Sequence, residues 1–120
     1  IIYFEDCTLN YSKNNLIYYS PFAYTKGTNT NIQFKNCNIN NIDSNTKSLI
    51  YAYAKPNGTC SFENCIFNIP SSLIIFDGVS FYKEYIENYI VKFINSSLND
   101  TNILISDSYK SNTNIRIIIS

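Results

Sequence analysis

The sequence predicts an all-β protein, a parallel β-solenoid of about four turns formed by one domain across residues 1–120. The first of three observations behind this is a seven-residue motif that occurs four times. Phe4–Asn10 reads FEDCTLN, Phe34–Asn40 FKNCNIN, Phe62–Asn68 FENCIFN and Phe93–Asn99 FINSSLN. All four obey F-x-[N/D]-[C/S]-x-[L/I/F]-N. Their phenylalanines, Phe4, Phe34, Phe62 and Phe93, recur with a period of roughly 28–31 residues, and a period of this size is the signature of a repeat architecture. The second observation is the alternation inside the motif, which has the period of a strand on each side of a one-residue corner. The third is that outside the 80–88 segment no stretch carries a helical period.

Each repeat opens on a β-rich run, at Ile2–Phe4, Ile32–Phe34, Cys60–Phe62 and Val91–Phe93, and a fifth opening falls at Ile115–Ile117. In the second copy Phe34 points inward, Lys35 outward, Asn36 turns the chain, Cys37 and Ile39 point inward and Asn38 outward. Asparagine suits the corner because it tolerates left-handed backbone and bonds its neighbouring peptide groups. A polar link follows each motif, and then a second apolar run: Leu16–Tyr19, Leu49–Ala52, Leu73–Phe76 and Ile103–Ser106. Returns to the next repeat are marked by turn residues, as in Pro56-Asn57-Gly58-Thr59. The longest return, Ser80–Asn88, has room for a helical turn. Stacking such units places successive strands roughly 4.8 Å apart in parallel register.

These rows define the expected interior. Phe4, Phe34, Phe62 and Phe93 form an aromatic stack, with Leu9, Ile39, Phe67 and Leu98 beside it. Each large side chain fully buried contributes on the order of 1.5–3 kcal/mol. Cys7, Cys37 and Cys65 share one stack, continued by Ser96, and read as buried thiols packing as small hydrophobes. Cys60 also faces inward, and a Cys37–Cys65 bridge is open in an oxidising compartment. Two asparagine rows, Asp6/Asn36/Asn64/Asn95 and Asn10/Asn40/Asn68/Asn99, read as corner ladders that satisfy backbone groups.

Composition narrows the function. Nine basic and nine acidic residues cancel, so there is no electrostatic footprint for nucleic acid or an anionic membrane. No run of about 18 apolar residues is present to span a bilayer. The chain has no histidine, so neither a zinc site nor a base-activated cysteine is expected, and no cofactor is implied. Asp77 and Asp107, after the second strands of consecutive repeats, are the one carboxylate pair suited to sharing a proton or a calcium ion. The corresponding places in the first two repeats hold Ser20 and Tyr53, and solvated loop acids are the simpler account. No catalytic residue is assigned. The sequence opens inside one apolar segment and closes in another, so a piece of a longer repeat array with neighbouring repeats is expected. Sequons at Asn10, Asn57, Asn95 and Asn99 suit an extracellular glycoprotein.

The motif resembles the repeats of right-handed parallel β-helix proteins of the pectate-lyase-like superfamily, and cell-surface adhesin repeats with inward Cys and Asn ladders. Composition and Cys-bearing units are also similar to the scaffoldins of anaerobic fungal cellulosomes. That resemblance implies a right-handed parallel β-helix and a cohesin-type repeat whose partner is a dockerin-like module borne by an enzyme.

The second apolar run supplies the expected binding surface, because its copies are apolar on both faces. The predicted partner-binding set is Ile17, Tyr19, Ile50, Ile74 and Phe76, with Tyr24, Tyr53 and Tyr82 from the returns. The opposite face offers Leu16, Tyr18, Leu49, Tyr51, Leu73, Ile75 and Ile103 instead. An exposed apolar patch marks an interaction site, and Tyr is enriched there. Returns that fold over the strand would bury it. The rival functions are a carbohydrate-active module, as polysaccharide binder, lyase or hydrolase fragment, and an adhesin or spacer repeat.

Overall fold

The computed structural model describes residues 1–12, 15–19, 29–42, 48–52, 57–69, 74–78, 88–98, 104–105 and 114–120. The described residues are all-β, without helix. Among them, twelve strands form three sheets in which every pairing is parallel.

The largest sheet holds β1 (Ile2–Glu5), β4 (Asn29–Lys35), β7 (Asn57–Glu63), β10 (Asn88–Ile94) and β12 (Asn114–Ile119), side by side in that order. These are the openings of successive repeats. The second sheet takes the strands after the corner, β2 (Thr8–Tyr11), β5 (Asn38–Asn41) and β8 (Ile66–Asn68), and Ser97 continues it by a bridge to Ile66. The third takes the second apolar runs, β3 (Ile17–Tyr19), β6 (Ser48–Ala52), β9 (Ile74–Gly78) and β11 (Leu104–Ile105). Each of the first three repeats thus donates one strand to each sheet, and like residues stand on like. Phe4 pairs with Phe34, Phe34 with Phe62, and Phe62 with Phe93.

Four openings are longer than the apolar pattern suggests. β4, β7, β10 and β12 each begin on an asparagine. Asn29 pairs with Asn57, and Asn88 with Asn114. The expected turn at Asn57–Thr59 is therefore strand. Gly58, at φ 120°, takes there a backbone conformation that other residues avoid. Of the long return, Asn88 belongs to β10 and residues 79–87 lie outside the described part.

The corner is where the chain's chemistry fixes the geometry. Asp6, Asn36, Asn64 and Asn95 all have φ between 46° and 54°, the left-handed region. A β-carbon is disfavoured there, and Asn and Asp offset part of the cost by local hydrogen bonding. The corner amides stay paired to the next repeat: Asp6 N–H donates to the Lys35 carbonyl, Asn36 to Glu63 and Asn64 to Ile94. Asn95 Nδ2 also donates to Asn64 Oδ1 at 2.6 Å.

Inside, the Phe4, Phe34, Phe62 and Phe93 rings stack with centroids 4.7–5.2 Å apart and planes within 12°. Phe67 meets Phe62 and Phe93 edge-on. Ile39, Phe67, Cys60 and Val91 complete a core from which water is excluded. The inward and outward assignments across Phe34–Ile39 match the observed burial.

Candidate functional site

The third sheet carries the surface on which binding is expected. Its register places Ile17 beside Ile50 and Ile50 beside Phe76, while Ile74 pairs with Ser48 and Leu104. Simple alignment of the apolar runs sets Ile50 against Ile74, and the third copy is therefore displaced by two positions. A shift of two leaves each residue on the same face. The neighbouring row is Tyr18, Tyr51 and Asp77, so Asp77 stands in register with tyrosines and not with Ser20 or Tyr53. Asp107 lies outside the described residues.

Burial corrects part of the expected surface. Ile50 is wholly inaccessible and Ile17 is 9% exposed, so neither looks outward to a partner. Both join the core cluster with Phe34 and Phe62. Leu49 precedes Ile50 and hence lies on the other face of β6, and it too is wholly inaccessible. The sheet is covered on both faces at this point, which is what an apolar strand with no polar side requires. Tyr19 lies in β3, and Ile74 and Phe76 lie in β9, with their side chains outside the described part. Tyr24, Tyr53 and Tyr82 fall outside the described residues.

The cysteine row does more than fill space. All four cysteines are free thiols, so the Cys37–Cys65 bridge is not formed. Cys37 Sγ donates to the carbonyls of Lys35 at 3.3 Å and Phe4 at 3.7 Å. Cys65 Sγ does the same to Glu63 at 3.4 Å and Phe34 at 3.6 Å. Ser96 Oγ repeats the pattern on Ile94 and Phe62, at 3.0 and 3.2 Å. The residue after each of these corners is thus a donor that ties its own corner to the Phe carbonyl of the preceding repeat. Cysteine and serine both serve because both are small and carry one hydrogen.

Burial pushes the Cys65 thiol up, and pushes that of wholly buried Cys60 further. A thiol held protonated is neither a nucleophile nor a metal ligand. No group of three metal-ligating side chains occurs among the described residues.

This gives a direct test of the corner. Cys65→Ser should keep stability within about 1 kcal/mol, since both acceptors remain served. Cys65→Val, of similar bulk, takes the thiol donor from the Phe34 and Glu63 carbonyls, the second of which keeps the Asn36 amide, and should cost about 1–3 kcal/mol in urea denaturation. Equal losses for the two variants would show that the row acts by volume alone.

Members of the second asparagine row bond side chain to side chain. Asn40 Nδ2 donates to Asn10 Oδ1 at 2.9 Å, and Asn68 Nδ2 to Asn40 Oδ1 at 2.7 Å. Asn99 lies outside the described residues. Of the sequons, Asn95 already commits its amide nitrogen, the atom a glycan takes, to Asn64.

The two outermost strands of the first sheet carry exposed apolar side chains. The exposed large apolar side chains include Ile1, Ile2 and Tyr3 at β1, and Ile119 at β12. The places equivalent to Ile2 in the interior repeats, Ile32, Cys60 and Val91, are 8% exposed or less. At the β1 end an open apolar hollow of about 360 Å³ is lined by Phe4, Leu9, Leu16 and Ile17, among others. No family model, curated protein or solved structure matches the chain.

Proposed function

We propose that this chain is a non-catalytic, extracellular protein-binding segment of a scaffold, wound as a right-handed parallel β-helix and continued by neighbouring repeats. The observation that supports it is what the motif residues bond to. Phe, Cys, Ser and Asn rows meet their counterparts in the next repeat, which leaves them building the stack. Sequence that differs between repeats lies in the connections 20–28, 53–56, 79–87 and 106–113. Each leaves a strand of the third sheet and enters a strand of the first, so the strand ends they join lie along one side of the stack. Three of these connections carry Tyr24, Tyr53 and Tyr82. With Ile17 and Ile50 buried, the proposed surface moves from the strand to the connections.

Following the resemblance to scaffoldins, the partner is a dockerin-like module. The test is titration calorimetry of this domain against a dockerin module from an anaerobic-fungal cellulosomal enzyme. Binding that Tyr24→Ser, Tyr53→Ser and Tyr82→Ser together weaken about 30-fold or more, with an unchanged melting temperature, supports the reading. A register row of two tyrosines and Asp77 favours a second reading, polysaccharide binding. Loss of oligosaccharide binding on Asp77→Asn, with no dockerin binding by the parent, would decide for it.

A further inference from the structure

We propose that the side of the stack where the third sheet hands the chain to the first docks an acidic protein segment, through a tyrosine–lysine pair in every connection. The inference rests on the protein-binding reading above and names the chemistry of the partner. The pair is a sequence pattern: Tyr24-Thr25-Lys26, Tyr53-Ala54-Lys55, Tyr82-Lys83 and Tyr109-Lys110. In each the tyrosine comes first, with one residue or none before the lysine. Elsewhere Lys35, Lys47 and Lys92 follow no tyrosine so closely. Lys13 follows Tyr11, but Tyr11 is half-buried and belongs to β2 in the second sheet.

Topology gathers the four pairs. The connections run from β3 to β4, β6 to β7, β9 to β10 and β11 to β12. The strands they leave are neighbours in the third sheet, and the strands they enter are neighbours in the first. Each lysine stands shortly before the asparagine that opens the strand entered. Those asparagines pair in register, Asn29 with Asn57 and Asn88 with Asn114, one strand spacing of roughly 4.8 Å apart. The connections thus present an ammonium and a phenol once per repeat along one line. Both groups donate hydrogen bonds, and an ionised carboxylate only accepts them. A bond from ammonium to carboxylate is also charge-assisted. A row of such pairs suits a segment that carries several carboxylates. The chain's own acids in these connections are Glu84, Glu87 and Asp107, all in the third and fourth. The first two hold Lys26 and Lys55 with no acid, so the uncompensated positive charge stands there. Charge of this kind governs encounter rate and its salt dependence, while tyrosine anchors govern how long the partner stays.

The experiment titrates a short poly-L-glutamate peptide into the isotope-labelled 120-residue protein and follows amide shifts. Shifts should fall on residues 20–28 and 53–56 and half-saturate below about 1 mM at low salt. They should fade at about 0.5 M salt, which screens exposed charges. Lys26→Gln with Lys55→Gln should weaken binding about fivefold or more without moving the melting temperature. Lys26→Arg with Lys55→Arg should keep it, and Lys13→Gln with Lys47→Gln should leave it unchanged. Tyr24→Ser with Tyr53→Ser should also weaken it about fivefold or more, which attraction between bare charges does not predict. The proposal is overturned if about 1 mM peptide leaves those amides unmoved at low salt, or if the shifts gather equally at Lys35 and Lys92. It is also overturned if the Lys→Gln pair binds like the parent. Heparin or phosphatidylserine vesicles that bind through Tyr24 and Tyr53 where polyglutamate does not would overturn the class of partner. Against the dockerin module the two readings separate. No binding by the parent removes the scaffoldin partner and leaves the polyglutamate result standing, whereas binding untouched by Lys26→Gln with Lys55→Gln removes the acidic partner alone.

Discussion

Phe62→Ala should cost about 3–5 kcal/mol of stability, the largest loss of any single truncation in the aromatic stack. Phe62 is wholly inaccessible, lies between Phe34 at 4.7 Å and Phe93 at 5.2 Å, and takes the edge of Phe67 at 4.9 Å. Truncation removes its transfer free energy and opens a cavity that the flanking rings cannot fill, because each is held by its own strand register. A stacked aromatic pair adds roughly 0.5–1.5 kcal/mol beyond area burial. Phe62 takes part in two such pairs. Phe4→Ala is the internal control. Its ring is half-buried and stacks on one neighbour, so its loss should be clearly smaller. Urea denaturation with unchanged slope checks both. A Phe62→Ala midpoint no lower than that of Phe4→Ala would remove the stack from the centre of the core.

Asn64→Val should cost about 2–3 kcal/mol, although the side chain is exposed. Its φ of 51° lies in the left-handed region. An ordinary L-residue there costs roughly 1–2 kcal/mol, and a β-branched one stands at the upper end. The substitution also removes the Oδ1 that accepts from Asn95. A hydrogen bond of that kind contributes about 1 kcal/mol. Asn64→Gly separates the two effects. Glycine takes positive φ freely and loses only the side-chain bond, at a cost of about 0.5–1 kcal/mol in unfolded-state entropy. The expected order of melting temperature is parent, then Gly, then Ala, then Val. If Val matched Gly, the corner conformation would not be the source of the asparagine requirement.

Much of the fold was legible because the motif repeats. The period alone placed Phe on Phe and Cys on Cys, and alternation around Asn36 assigned inside and outside without any knowledge of the neighbours. The left-handed corner was legible for the same reason, since the conformational preference belongs to the residue and needs no tertiary partner. The asparagines that open β4, β7, β10 and β12 were visible at one fixed distance before each Phe-row position. Of these, Asn57 read as turn punctuation and Asn88 as the end of a return, because strand formation there depends on the register of the next repeat and not on local propensity.

The candidate site was the least legible part. The sequence by itself determined that the second apolar run has no polar side, and so that something must cover it or bind it. It does not say which, because burial is decided by what the rest of the chain brings to that face. Only the tertiary structure placed both Leu49 and Ile50 out of reach of water and set Phe76 beside Ile50. Likewise, the sequence named Cys7, Cys37 and Cys65 as one row, while the structure decided that Cys37 and Cys65 donate hydrogen bonds across the corner to the preceding repeat. The physical reason is the same in both cases. A periodic pattern specifies which residues are equivalent. Burial and hydrogen-bond partners depend instead on atoms a whole repeat away in the chain, which stacking brings within about 4 Å.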